Sequence, residues 1–179
     1  MADVNRVWRL RKRPVGEIGD DVLSFGEEAI PEPAEGQFLV RLDYLSLDPT
    51  NRIWMSDMDQ YMPPVALGDP MRGVICGTVT KSRHPDFAAG DVVSGLGTWA
   101  EYQLGTPATM NKMPPLAGVS VSDAFGLFAV VGPTAYFGLM DLGAPKAGET
   151  VVVSAAAGAV ARQADHQIGT ARDQRVPAA

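Results

Sequence analysis

From Gly36 to Leu47 apolar and polar residues alternate over most of the run, the period of two that marks a half-buried β-strand. Pro31 and Pro33 set its beginning and Asp48-Pro49 its end. Val74–Thr80, Asp91–Ser94 and Trp99–Leu104 predict three further short strands, separated by turns at His84-Pro85-Asp86 and Gly95-Leu96-Gly97. Many short strands with glycine-rich turns predict a small closed or partly closed barrel.

The texture changes near Ser122. Ser122-Asp123 reads as an N-cap pair ahead of the apolar stretch Ala124–Val131, and Pro133-Thr134 opens a second helix running to Leu142. Gly143 is placed to cap it, and Pro145 blocks continuation. Thr150-Val151-Val152-Val153-Ser154 has no polar alternation, so both of its faces are expected to be buried, as in a parallel sheet under helices. The small residues Ala155-Ala156-Ala157-Gly158-Ala159-Val160 follow at once. Such a turn lets a backbone approach a pyrophosphate, whose charge meets N–H groups at the next helix start. Small-residue turns also follow strands for packing reasons alone, and the pattern by itself leaves both readings open.

Composition narrows the function classes. The chain has 179 residues, 46% of them hydrophobic and 20% charged, the balance of an ordinary globular protein. Fifteen basic against 21 acidic residues give a net charge of −6, which argues against a general nucleic-acid surface. The basic cluster Arg6, Arg9, Arg11, Lys12 and Arg13 is balanced by acidic residues from Glu17 to Glu35, and a solvated pair of strands accounts for both. No apolar run approaches the roughly 18 residues of a membrane span, and the N-terminal residues lack the apolar h-region expected of a secretory signal. Cys76 has no partner for an internal disulfide, which fits a reducing cytoplasm. The histidines, His84 and His166, sit in no metal-ligand or nucleophile pattern. No membrane or nucleic-acid partner is expected.

Several stretches taken in order carry a resemblance. They are Leu45-Ser46-Leu47-Asp48-Pro49 with Arg52, Met71-Arg72-Gly73-Val74, and Ser82–Phe87 with Gly90-Asp91-Val92-Val93. Gly97-Thr98-Trp99-Ala100-Glu101-Tyr102, Gly132–Leu139 and Val153–Val160 complete the set. Together they resemble the medium-chain dehydrogenase/reductase superfamily, in its zinc-free branch of prostaglandin, alkenal and curcumin reductases. The resemblance implies a mainly β fold with α/β, a GroES-like barrel followed by the first strand and helices of a truncated Rossmann domain. It implies a substrate-side domain at 1–122, the start of an NADPH-binding domain at 123–160, and a divergent tail at 161–179, disordered or produced by a reading-frame change. Zinc-dependent relatives carry a cysteine and a histidine where this chain has Asp48-Pro49 and Arg72-Gly73, so no metal is expected.

The same resemblance implies an NADPH-dependent oxidoreductase that reduces the C=C bond of α,β-unsaturated aldehydes or ketones. Thr134 matches the threonine near the nicotinamide, with helix N-terminal capping beside Pro133 an equal and compatible role, and Gly158, Ala159 and Val160 match the pyrophosphate loop. Thr50, Arg52, Trp54 and Tyr61 fall where the substrate cleft is expected. Thr50-Asn51 replaces the family's Tyr-Met, Arg52 is expected to form a structural salt bridge, and Trp54 and Tyr61 could equally be core plugs. No catalytic residue is assigned. The partner is a small-molecule enone, with a homodimer in full-length relatives. A truncated chain of this kind is expected to be inactive; the alternatives are a non-enzymatic barrel module or dominant-negative fragment that binds a protein, and, among enzymes, a quinone reductase.

Overall fold

The computed structural model describes residues 4–146, 148–155 and 157–161, and divides them into two compact units between Pro115 and Leu116. The first unit is β structure. β1 (Val4–Leu10) and β2 (Leu23–Ala29) form an antiparallel hairpin that pairs Arg6 with Glu27 and Trp8 with Phe25. The charged stretches are thus the pair of strands expected, with ion pairs Arg9–Glu28 and Lys12–Asp21.

Five further strands make one antiparallel sheet in the order β6-β3-β4-β5-β7. They are β3 (Phe38–Ser46), β4 (Arg72–Ser82), β5 (Val92–Thr98), β6 (Tyr102–Gly105) and β7 (Met110–Lys112). The sheet's two outer strands, β6 and β7, are joined by a tight turn in which Thr109 N–H donates to the Thr106 carbonyl. That turn curls the sheet into a partly closed barrel. Phe38, Val40, Ile75, Val79, Val93 and Met110 fill its inside, with Phe87 stacked on Phe38.

Gly95 and Gly97, expected in a turn, lie inside β5 instead. A side chain at Gly95 would run into the Thr109 backbone, and one at Gly97 would meet Gln103 and lie 2.7 Å from Ile75. Close approach, not chain reversal, is what these glycines permit.

A second core holds Leu10, Val22, Trp54, Met55, Val65 and Met71. It lies against the short helix α1 (Pro49–Trp54), which follows the strand-ending Asp48-Pro49. The hairpin is tied in by backbone bonds from Trp8 N–H to the Trp99 carbonyl and from Met71 N–H to the Trp8 carbonyl, both under 3 Å.

The second unit contains α2 (Val121–Phe128) and α3 (Val131–Tyr136), which continues into a π-helical turn at Phe137–Gly143. The N-cap of α2 is Ser120, not Ser122: its hydroxyl accepts the Asp123 N–H at 3.1 Å. Gly143 is still helical, and the left-handed cap is Ala144 with φ 42°. The strand expected at 150–154 has not formed. Among the described residues no strand lies beside it, and Val152 is 89% exposed. A β-branched run needs a neighbour to take its N–H and C=O groups, and none is supplied. The divergent tail, apart from Ala161, lies outside the described residues. No single helix among those described is long and apolar enough to cross a membrane.

Candidate functional site

In the first unit the candidate residues sit on α1 and the loop after it. Asn51 anchors the segment: its Oδ1 accepts the Asp48 N–H at 2.6 Å, and its Nδ2 donates to the Arg72 carbonyl at 3.1 Å. This buried amide fastens α1 to β4. The sequence alone does not reveal this role, because Thr50-Asn51 stands there as a departure from the family's Tyr-Met.

Thr50, the next residue back, places its Oγ1 2.5 Å from the Tyr61 hydroxyl. Tyr61 is 70% exposed, so this is a surface pair of hydroxyls and not a core plug. One hydrogen bond joins the two oxygens, which leaves one of their two protons available to an outside acceptor.

Arg52 does not form the expected salt bridge. Its guanidinium donates to Ser56 Oγ at 2.6 Å and to the backbone carbonyls of Pro14 and Gly16 at 3.0 and 3.2 Å. Carbonyls suit it because the 14–16 turn offers no carboxylate, and the planar fork holds that turn to α1. Trp54 is 4% exposed and belongs to the second core, with the Arg72 guanidinium over its ring. Its burial in that cluster matches the core-plug reading of this residue.

In the second unit Thr134 lies within α3, not at its start. Its hydroxyl donates to the Val130 carbonyl at 2.7 Å, so capping is not its role. With that proton committed, the Thr134 oxygen can only accept from a ligand. Gly132, two residues earlier, is required because any side chain there would strike the Leu127 backbone.

The 155–160 segment has the outline of a phosphate-approach turn. Ala155 takes φ 52°, Gly158 N–H donates to the Ala155 carbonyl at 2.7 Å, and a helical turn begins at Ala159. Ala157, Gly158 and Ala159 are exposed and carry nothing beyond a methyl group, so a pyrophosphate could reach their backbone. The residues present therefore fit that part of a dinucleotide. Among the described residues no group of three His, Cys, Asp or Glu side chains is placed to hold a metal.

Comparison with known proteins follows the same outline. A family described as the N-terminal domain of oxidoreductase matches residues 6–113. The NADPH-dependent curcumin reductase of Escherichia coli is 40% identical over 172 residues, covering 96% of this chain and 49% of that protein. Prostaglandin reductase 1 of Bos taurus is 32% identical over 157 residues, covering 86% of this chain and 45% of the relative. The 2-alkenal reductase (NADP(+)-dependent) of Nicotiana tabacum is 38% identical over 133 residues, 73% of this chain and 38% of its own length. The crystal structure of CurA from Vibrio vulnificus superposes with a TM-score of 0.80 at 37% identity, covering 93% of this chain and 49% of that one. A second structure of CurA, in complex with NADPH, matches at 36% identity with the same score. The chain spans about half the length of the curated relatives it matches.

Proposed function

Because the chain belongs to this oxidoreductase family, in the medium-chain dehydrogenase/reductase superfamily beside the curcumin, prostaglandin and alkenal reductases, we propose that it is the substrate-side portion of an NADPH-dependent reductase of α,β-unsaturated aldehydes and ketones. The observation that carries the reading is the exposed Thr50–Tyr61 hydroxyl pair, held by Asn51 on a domain of this family.

The division of labour follows from the residues. The spare proton of the Thr50–Tyr61 pair donates to the enone carbonyl, drawing charge from the β-carbon as negative charge grows on oxygen. Asn51 and Arg52 fix α1, so that the pair does not have to be ordered when substrate arrives. The Thr134 oxygen, its proton given to Val130, would serve as an acceptor for the nicotinamide carboxamide. Backbone N–H groups of Ala159 and Val160 would meet the pyrophosphate, and Gly158, its own N–H given to the Ala155 carbonyl, would let it approach closely. NADPH, when bound, supplies the hydride. The GroES-like substrate side, expected at 1–122, ends at Pro115 so that α2 stays whole, and the beginning of the cofactor domain runs from Leu116 to Val160.

The 179-residue polypeptide alone is expected to reduce no enone, because among the described residues no strand lies beside its 150–153 run. The test is NADPH titration of the purified chain, followed by nicotinamide fluorescence, with an enone then added. Weak saturable binding that T134V abolishes supports the cofactor assignment; steady NADPH oxidation by the isolated chain overturns the expectation of inactivity. Binding unchanged in T134V removes Thr134 from the site.

A further inference from the structure

We propose that the cleft between the β1–β2 hairpin, the 63–70 loop and strands β5 and β6 binds an amphipathic carboxylate, an apolar body with one carboxylate head gripped by Arg72. The cleft encloses about 710 Å³, within the range of small-ligand pockets. Pro63, Pro64 and Pro70 line it together with Leu96 and Leu104. Proline walls are stiff and present no N–H group that a ligand would have to satisfy. None of Thr50, Arg52 and Tyr61 lines this cleft, so the inference goes beyond the reductase reading and does not rest on it.

The head group follows from which polar groups are still uncommitted. Among the described residues Arg72 is the one lysine or arginine on the wall. Its guanidinium carbon lies 5.6 Å from the Trp54 ring centroid, and Nη1 donates to the Pro63 carbonyl at 2.9 Å. Those contacts fix the plane of the fork, while its other N–H groups have no partner among the described residues. The Tyr102 hydroxyl has none either. The amides on the wall are occupied: Asn5 binds Tyr102 and Glu28, and Gln103 binds Thr98.

Of the carboxylates on the wall, Glu28 is paired with Arg9, and Asp69 is exposed to solvent. Unmet donors, one of them cationic, in a mostly apolar cleft match acceptor oxygens carrying a single negative charge. A planar carboxylate fits a guanidinium fork with two parallel hydrogen bonds. A dianion would set its second charge near Asp69 and Glu28, and a cation would face Arg72 without compensation.

The experiment is isothermal titration of the full 179-residue chain with 4-phenylbutyrate, and with its neutral amide as the control. Saturable one-to-one binding is expected, at least tenfold weaker for the amide and for R72Q. A66W fills the cleft while leaving Arg72 in place, and should also abolish binding with an unchanged circular dichroism spectrum. Y61F should bind as the parent does. No saturable binding, equal affinity for the amide, or full binding by folded A66W overturns the proposal. If R72Q does not fold, the amide and A66W decide it.

Discussion

Removing the Asn5 side chain should cost the first unit more than any other single polar truncation in it. Asn5 is 1% exposed. Its Nδ2 donates to the Tyr102 carbonyl at 2.9 Å and to Glu28 at 3.3 Å, and its Oδ1 accepts the Tyr102 N–H at 2.8 Å. The side chain thus reproduces the two bonds of a β-ladder and joins the hairpin to β6. Asn5→Ala leaves both backbone groups of Tyr102 without partners, at about 1–3 kcal/mol for each group fully desolvated. Tyr102 is only half-buried, so water recovers part of that, and a total of about 2–4 kcal/mol is expected. All three tryptophans, Trp8, Trp54 and Trp99, lie in this unit, so urea unfolding followed by tryptophan fluorescence reports on it. With an m-value of roughly 1.5 kcal/mol/M, the midpoint should fall by roughly 1.3–2.7 M. Asn5→Asp keeps the acceptor but loses the donor and sets a carboxylate beside Glu28, which raises its folded pKa. Its deficit should therefore shrink as pH falls and protonation restores a donor. A midpoint shift under about 0.3 M for Asn5→Ala would refute the reasoning.

Gly77→Ala should destabilise by roughly 3 kcal/mol or more, because the new methyl strikes the Arg41 carbonyl oxygen and lies 2.6 Å from Val40 Cγ1. Gly126→Ala, in α2 with open space around it, should instead be neutral or stabilise by up to about 1 kcal/mol; thermal melts of the two variants check both. Arg6 holds the Glu101 carboxyl below its ordinary range, chiefly through their hydrogen bond. A depressed folded pKa gives stability that is present above the unfolded value and lost as pH falls through the folded one, so the urea midpoint should drop on acidification by less in E101Q than in the parent. Burial pushes the Cys76 thiol up to about 11, so a disulfide reagent at neutral pH should label it only after urea unfolding; prompt labelling of the folded chain contradicts the assignment.

The legible parts of the sequence were those where a local pattern meets a local cause. Alternation located β3, and the charge-matched stretches located the hairpin, because pairing Arg6 with Glu27 needs only the two strands themselves. Gly95 and Gly97 misled because a glycine in a turn and a glycine under a neighbouring backbone look alike until the sheet is curled. The 150–154 run has the composition of a buried strand, but a strand is a relation between segments, and no partner is described. At the site, the ordered motifs pointed to the Thr50–Tyr61 neighbourhood without showing that the two hydroxyls meet across ten intervening residues. Arg52 was legible as structural but not as a clamp on carbonyls, since the Pro14–Gly16 turn that it holds is remote in sequence.

The most direct measurement joins residues 1–160 of this chain to the second half of the Escherichia coli curcumin reductase, of which it covers the other 49%. The purified chimera is given NADPH and a conjugated enone, and the product is identified by mass spectrometry and NMR. The expected result is NADPH-dependent formation of the saturated carbonyl compound, reduced roughly tenfold to a hundredfold in Y61F, the loss of one donor to a developing oxyanion. A folded chimera that leaves the enone untouched, or that reduces its carbonyl to the allylic alcohol, would contradict the reductase reading.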